Sequence, residues 1–280
     1  MSNAKSMSLR ARIINFSKKH GISPQLALQS FFAERFLARI AQSPYAGNLA
    51  IKGGTLMSAI LGIELRTTID VDATIIGIRA DEARIIEVVE TIAAIDIGDG
   101  IVFTRDESIP TAITKDDEYG GYSIGLVARF GTIRLPIGVD VTFGDAITPE
   151  AESRDFRSLL DDAVSIRLKA YPVETLMAEK LQTILKRGVS MTRPRDFYDL
   201  YMLHAKKEYD ADVLSQAVKN TFTNRNSNES LLNCRTTMNA FKASDFQRDQ
   251  WGRYTLKMPF AKGIAFDDVI ASLEDIIAAL

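Results

Sequence analysis

Apolar residues recur at helical spacing in several segments of the chain, with polar residues between them. In residues 8–19 the apolar residues Leu9, Ile13, Ile14 and Phe16 have lysines and arginines between and after them, which predicts an amphipathic helix. Ser23 and Pro24 are typical of the N-cap and the first position of a second helix. The predicted helices cover residues 8–19, 23–41, 81–95 and 173–187, with further helices from residue 194 to the end.

Other segments are predicted to be β-strands, and the end of one of them, residues 138–143, alternates apolar and polar residues with the period of two that is typical of a strand. Strands are predicted at residues 101–105, 122–130, 132–143 and 163–170. Helices and strands follow one another along the chain, as in an α/β (α+β) fold. We expect three parts, namely N-terminal helices that pack on the core (1–48), the core itself (49–170) and a helical C-terminal region (171–280).

A glycine turn lies near the start of the predicted core. The pattern of residues 50–75 predicts a strand, a turn at Gly53 and Gly54, a short helix and a second strand. Thr55 is placed to cap this helix, which we expect over residues 56–61. The backbone N–H groups of such a turn can bind phosphates, although a glycine pair alone is more typical of a tight connection.

Three aspartates change the interpretation of this turn. Asp70 and Asp72 lie two residues apart on the second strand, so their carboxylates point to one face of the sheet. If the strand at 132–143 lies beside it, Asp140 joins them on that face. Like charges this close are costly unless they are exposed, protonated or neutralised by a cation, and such a set suits Mg²⁺ with substrate phosphates. The alternative is an ordinary exposed face of the sheet.

The helix at 173–187 carries two basic residues on its apolar side. At about 100° per residue, Lys180 falls within the apolar arc and Arg187 falls on the same side. Basic residues on a buried side favour an anionic partner, which would be either a triphosphate or the aspartates of the sheet. The alternative is that their long aliphatic stems cover the edge of the core while the charged ends reach solvent. In the next helix, Asp196 and Asp199 lie three apart and share a face, and each either stabilises the positive N-terminus or pairs with Arg193 or Lys180.

Composition and charge narrow the function classes. The formal net charge is −2, so a nucleic-acid partner would have to contact a local basic patch. The first predicted helix is one candidate for such a patch. The alternative is that its charges only form a solvated face. A single cysteine excludes an internal disulfide, and two histidines do not favour a zinc site. We find no secretory signal and no apolar run long enough to span a bilayer, so we expect a cytoplasmic protein without a membrane partner. Asp116 and Asp117 are expected at a solvated hairpin tip, not at a second metal site.

Four short motifs follow one another along the chain. They are KGGT (52–55), RTTIDVD (66–72), DVTFGD (140–145) and KLQTILKR…RPRDFYDLYML (180–203). Together they resemble the motifs of the AbiEii/AbiGii toxin family, whose members are nucleotidyltransferase-like toxins of bacterial toxin–antitoxin pairs, many of them linked to phage defence. The resemblance spans most of the chain up to the last motif and does not extend to the remaining C-terminal helices.

The resemblance implies a polymerase-β-like nucleotidyltransferase core, which is a mixed sheet with flanking helices. In such a core Asp70 and Asp72 would hold Mg²⁺ and the nucleotide polyphosphate, and Asp140 would bind a second metal and help to deprotonate the attacking hydroxyl. Lys180 and Asp196 match the lysine and aspartate of the family's last motif, which support nucleotide binding and catalysis. The residues assigned to the nucleotide are Lys52, Gly53, Gly54, Thr55, Thr68 and Arg187.

We therefore expect a Mg²⁺-dependent nucleotidyltransferase that acts as the toxin of a toxin–antitoxin or abortive-infection system, with an AbiEi-like antitoxin as its partner. It would transfer a nucleotide from an NTP to an acceptor hydroxyl, with RNA, and tRNA in particular, as the expected acceptor. The first alternative is an antibiotic-type nucleotidyltransferase that modifies a small molecule, which an enclosed acidic pocket in the C-terminal half would favour. The second is a non-enzymatic interaction protein on the same fold, against which the three intact aspartates argue.

Overall fold

The structure is a computed structural model that describes residues 3–108, 112–113, 120–161 and 163–280. The expected hairpin tip with Asp116 and Asp117 lies outside the described residues. The chain divides into two compact units. The first comprises Met1–Gly144 and Glu152–Ala170, and the second comprises Asp145–Ala151 and Tyr171–Leu280.

Eight strands within the described part of the first unit form one sheet. They are β1 (Leu49–Ile51), β2 (Val71–Ile75), β3 (Val102–Arg105), β4 (Ala112–Ile113), β5 (Gly121–Phe130), β6 (Ile133–Phe143), β7 (Glu152–Arg157) and β8 (Ser165–Ala170). Their order is β3-β5-β6-β2-β1-β8-β7, and β4 pairs with β5 outside this path. The sheet is mixed, because β2 is parallel to β6 and β1 is parallel to β8, while the other paired strands are antiparallel.

Four helices accompany this sheet. They are α1 (Asn3–His20), α2 (Pro24–Gln42), α3 (Gly53–Leu61) and α4 (Glu82–Ala93). Helix α2 begins as predicted, because the hydroxyl of Ser23 accepts a hydrogen bond from the Leu26 N–H at 3.2 Å. It packs on β6 and β8 with Phe36 and Ile40 in the core, and α4 packs on β3 and β5.

The second unit is helical. Its helices are α5 (Val173–Arg187), α6 (Pro194–Lys206), α7 (Ala211–Asn224), α8 (Asn228–Leu232), α9 (Cys234–Lys242), α10 (Asp245–Lys257) and α11 (Phe266–Ala278). The ring of Phe197 contacts Phe241 and Phe266 edge-on, which joins α6, α9 and α11 in one core. Within the described residues, no helix is long and apolar enough to cross a membrane.

The fold class predicted from the sequence is confirmed, since a mixed sheet, flanking helices and a helical C-terminal region are all present. Strand β7 was not predicted, because only Phe156 of its six residues is buried and the alternating pattern is therefore missing. Helix α3 begins at Gly53 and not at residue 56. The division into three parts with boundaries at residues 48 and 170 stays a prediction.

Candidate active site

The three aspartates project from one face of the sheet where β2 and β6 run side by side. These strands are parallel, and Asp72 pairs in register with Asp140, so their side chains leave the same face. Asp70 precedes β2, and its Oδ1 would lie 2.5 Å from a Cβ built on Gly138 of β6. Glycine at position 138 therefore leaves room for the Asp70 carboxylate. The strand adjacency on which the predicted grouping depended is present.

The carboxylate of Asp72 lies at the N-terminus of α3. Its Oδ2 accepts hydrogen bonds from the backbone N–H of Gly54 at 2.8 Å and from that of Thr55 at 3.3 Å. These N–H groups have no partner within the first turn of a helix, so a carboxylate at this place stabilises both the helix and its own charge. Gly53 has a φ of +53°, and a Cβ there would lie 2.8 Å from the Asp72 carboxylate. Both facts favour glycine in this turn.

The prediction that Thr55 caps the short helix was wrong. The N-cap position is Lys52, which makes no side-chain cap, and Thr55 lies inside the first turn. The Thr55 hydroxyl instead accepts a hydrogen bond from the Asp72 N–H and donates one to the Asp70 carbonyl, each at 3.0 Å. The helix begins earlier because the glycine turn permits it and because Asp72, from a distant part of the chain, supplies the capping oxygen.

Two further residues assigned from the sequence lie against the same segment. The hydroxyl of Thr68 donates to the Asp70 carbonyl at 3.3 Å, and a Cβ on Gly54 would approach the Thr68 oxygen to 2.8 Å. The N–H of Lys52 donates to the Asp72 carbonyl at 3.0 Å. The first unit thus brings together the three aspartates and five of the six residues assigned to the nucleotide, namely Lys52, Gly53, Gly54, Thr55 and Thr68.

Asp140 occupies an environment that disfavours its charge. Burial raises the pKa of its carboxyl group to about 6, a hydrogen bond from the Ser123 side chain opposes this, and the nearby negative charges of Asp72 and Asp70 raise it further. The positive charge of Lys52 lowers it. The net effect is a carboxylate that is more basic than an ordinary aspartate.

Ser123 is a site residue that the sequence reasoning missed. It pairs directly with Asp140 across the antiparallel β5–β6 hairpin. The signal was available, because Phe130 pairs with Ile133 across the turn at Gly131, and counting back from that turn assigns residue 123 to residue 140. It was missed because a serine in a strand has no distinctive pattern until the register is known.

Lys180, Asp196 and Arg187 belong to the second unit. The Lys180 Nζ lies 2.8 Å from Asp196 Oδ1 and 2.7 Å from Asp199 Oδ2. Pairing with Lys180 was an expected alternative for both aspartates, of which only Asp196 was assigned to the site; Asp199 is fully buried. Arg187 is half-buried at the end of α5. The assignment of these residues to a nucleotide stays a prediction.

No metal centre is formed by side-chain positions alone. Among the described residues, no group of three or more His, Cys, Asp or Glu side chains is arranged so that it could hold a metal ion. Chemically, the sheet face offers hard carboxylate oxygens, a base of raised pKa and the N-terminus of a helix beside them. This combination suits the binding of a cation with a phosphate-bearing substrate.

A family model covers most of the chain. The model described as nucleotidyl transferase AbiEii toxin, type IV TA system, matches residues 35–272. The match includes the glycine turn, the three aspartates, the Lys180 and Asp196 motif, and most of the C-terminal helices that the motifs quoted from the sequence did not reach. It begins after α1.

Two solved structures from Helicobacter pylori have a similar fold. A candidate nucleotidyltransferase from H. pylori is 15% identical, with a TM-score of 0.51 over 92% of this chain and 95% of that chain. JHP933 from Helicobacter pylori is also 15% identical, with a TM-score of 0.51 over 91% of each chain. At this identity the likeness concerns the fold alone. No curated protein matches the chain.

Proposed function

Because the chain belongs to the AbiEii family of nucleotidyltransferase toxins of type IV toxin–antitoxin systems, we propose that it transfers a nucleotide from an NTP to a hydroxyl group of RNA. The acceptor oxygen attacks the α-phosphorus, a new P–O bond forms, and pyrophosphate leaves. We propose tRNA as the first acceptor to test, Mg²⁺ as the metal and an AbiEi-like antitoxin as the partner. Lys180, Asp196 and Arg187 are proposed to support nucleotide binding because of the family resemblance.

The in-register pair of Asp72 and Asp140, with Asp70 beside them, is the observation that carries this proposal. Carboxylates on one face repel each other unless a cation balances them, and this repulsion contributes to the raised pKa of Asp140. Their oxygens are ligands that suit Mg²⁺, so we propose that Asp70, Asp72 and Asp140 would hold it together with the phosphates of the substrate, since the three side chains as positioned do not form a metal site by themselves. When bound, the ion would supply positive charge to the attacking and leaving oxygens.

Asp140 suits the role of the proton acceptor for the attacking hydroxyl. With a pKa of about 6 it is mostly ionised at neutral pH, yet it is a stronger base than an ordinary aspartate. Ser123 lies opposite it in the β5–β6 pairing, and the Ser123 side chain limits the rise in the pKa of this carboxyl group. Lys52 adds positive charge near the same group and would favour a bound phosphate.

The test is to incubate the protein with Mg²⁺, each α-labelled NTP in turn and total tRNA, and to follow label in RNA. We expect label in the RNA fraction, and a loss of at least about 100-fold in Asp70→Asn and Asp140→Asn. Asp155→Asn is the matched control, because Asp155 is an exposed aspartate on β7 of the same unit and should keep full transfer.

Three other results would each decide the question differently. Label in a small-molecule fraction but not in RNA would favour an antibiotic-type enzyme. Equal transfer by Asp140→Asn and Asp155→Asn would contradict the assigned site. No label in RNA or protein, and no pyrophosphate release at enzyme concentrations equal to that of the NTP, would contradict the proposed activity.

A further inference from the structure

Helix α1 carries a strong local positive charge. It contains five lysines and arginines and no aspartate or glutamate, in a chain whose formal net charge is −2. All five side chains are exposed, while Leu9 and Ile13 form the face that is buried. An exposed helix of one sign of charge attracts polyanions over its whole length.

Three of these bases form a stripe along the helix. Lys5, Arg12 and Lys19 recur every seven residues, which is close to two helical turns, so they lie on one side about 10 Å apart. Arg10 and Lys18 fall on the opposite edge of the exposed face. We call Lys5, Arg12 and Lys19 the basic stripe.

A cavity of about 390 Å³ lies beside the basic stripe, within the first unit. Lys5 and Arg12 line it from α1, Phe31 and Arg35 line it from α2, and Ser158 follows β7. The volume is in the range of pockets that hold a small ligand. The glycine turn and the three aspartates do not belong to its lining.

Two aspartates also line this cavity. Asp99 is held by two hydrogen bonds from the Arg39 guanidinium, at 2.9 Å and 2.8 Å, so its charge is balanced from within the core. Asp161 accepts a hydrogen bond from the Ala163 N–H at 3.1 Å. Because Arg35 pairs with Glu34 and Asp99 pairs with Arg39, the remaining charged groups of the lining are Lys5 and Arg12 on one side and Asp161 on the other.

Arg35 brings a guanidinium group to the wall of this cavity. Its Nη2 donates to Glu34, and its Nε is buried away from the cavity, so the exposed remainder of the guanidinium is what a ligand there would meet. A positive charge beside a cavity attracts an anionic oxygen. The Arg35 guanidinium also lies 5.9 Å from the centre of the Phe31 ring, so an aromatic face adjoins the charge.

We propose that the basic stripe and this cavity bind a single strand of RNA apart from the aspartate face. Lys5, Arg12 and Lys19 contact successive parts of the sugar–phosphate backbone, and one nucleotide enters the cavity, where Arg35 takes a phosphate oxygen and Phe31 adjoins the base. An acidic protein would also meet the stripe, but it would make no use of an aromatic side chain inside a cavity. The inference rests on the proposed function only in its choice of RNA.

Binding of a single-stranded RNA of about 12 nucleotides by the full chain tests this, measured by fluorescence anisotropy in EDTA without NTP. Metal binding and transfer chemistry then do not contribute. Lys5→Gln/Arg12→Gln should lower the slope of log affinity against log salt by about 1.4 and raise Kd about 20-fold at 0.1 M salt. Arg10→Gln/Lys18→Gln is the matched control, because it removes the same charge from the same helix and should change Kd by less than about threefold.

Phe31→Leu is a second variant with a different signature. It should weaken binding about tenfold while leaving the salt slope unchanged, because it removes stacking and not charge. Equal losses in the two double variants would overturn the proposal, since binding would then depend on net charge alone. Competition by polyglutamate as strong as that by RNA of equal charge would also overturn it, in favour of an acidic protein.

The two proposals fail separately in these experiments. If the protein transfers label to RNA but its affinity for RNA does not depend on Lys5 and Arg12, the proposed RNA site is rejected and the proposed transferase activity stands. If RNA binding depends on the basic stripe but the protein transfers no nucleotide, the proposed transferase activity is rejected and the proposed RNA site stands.

Discussion

Asp140 links the charge of a single carboxyl group to the stability of the metal-free protein. Its pKa is about 6 in the folded chain and about 3.9 in an unfolded one. Between these two values the folded protein binds more protons than the unfolded protein, so stability falls as the pH rises through this window. Above pH 6 the folded protein carries the whole cost of the buried charge.

We therefore expect Asp140→Asn to raise the free energy of unfolding in EDTA at pH 8 by on the order of 1–3 kcal/mol, with a smaller effect near pH 4. Urea denaturation at the two pH values measures it. Asp155→Asn, at an exposed position, should change stability little at either pH. An Asp140→Asn protein that is less stable than the parent at pH 8 would contradict the environment assigned to this carboxyl group.

Single residues were predictable where their chemistry was unusual for their position. Asp70, Asp72 and Asp140 stood out because carboxylates are rare among strand-forming apolar residues. Ser123 did not stand out, because its part depends on the register of β5 and β6. Asp199 was considered as a partner of Lys180 but was not assigned to the site, because which of two aspartates on one helix face meets the lysine depends on the packing of α5 and α6.

At the scale of elements, α3 and β2 are joined through one hydroxyl group. Thr55→Val would leave the Asp72 N–H without the acceptor that it has at 3.0 Å, and the Asp70 carbonyl would lose a donor. We expect a loss of about 1–3 kcal/mol in the free energy of unfolding. Thr55→Ser keeps the hydroxyl and should lose less. Equal stability of the valine and serine variants would mean that this bridge does not contribute.

Helices α5 and α6 are joined through a buried lysine. Lys180 is 8% exposed and lies between Asp196 and Asp199, the second of which is fully buried. Lys180→Met would leave buried negative charge without its lysine, so we expect a loss of about 3–5 kcal/mol in denaturant unfolding. Lys219→Met, at an exposed position of α7, is the control and should be nearly neutral. A Lys180→Met protein as stable as this control would refute the interpretation.

The start of a helix was predictable from the sequence where the residue that caps it lies within a few positions of the N–H group that it caps. The start of α2 followed from Ser23 and Pro24, because the capping oxygen and the capped N–H are three residues apart. The start of α3 did not, because the oxygen that caps it comes from Asp72 and the local rule selected Thr55. Strand β7 has one buried residue, so its pairing with β8, and not its composition, makes it a strand.

At the scale of the whole molecule, a ligand that binds only the folded chain stabilises all of it. If the three aspartates hold Mg²⁺, the ion should raise the free energy of unfolding, by about 1.4 kcal/mol when its concentration is ten times Kd. Thermal unfolding with Mg²⁺ and with EDTA measures this in the parent, Asp70→Asn and Asp155→Asn proteins. The gain should vanish only in Asp70→Asn. The same gain in all three would indicate non-specific binding.

The sequence predicted blocks of secondary structure in the right order, but it did not predict how the blocks are interleaved. Residues 145–151 belong to the second unit although strands of the first unit stand on both sides of them. The Asp145 carboxylate accepts a hydrogen bond from the Tyr171 hydroxyl at 2.8 Å and lies 3.7 Å from the Arg225 guanidinium. These partners are distant in sequence, so no local pattern could indicate the excursion.

This interleaving has a consequence for how the chain is made and how it can be shortened. Strand β1 pairs with β8, which leaves the ribosome only after the excursion at 145–151 has been synthesised. Until then one side of β1 in the nascent sheet is open, and an open strand edge is where wrong pairing and aggregation begin. A truncated protein ending at Gly144 would keep that edge open permanently. A recombinant fragment that preserves the sheet therefore has to extend to Ala170 and carry a short piece of the second unit with it.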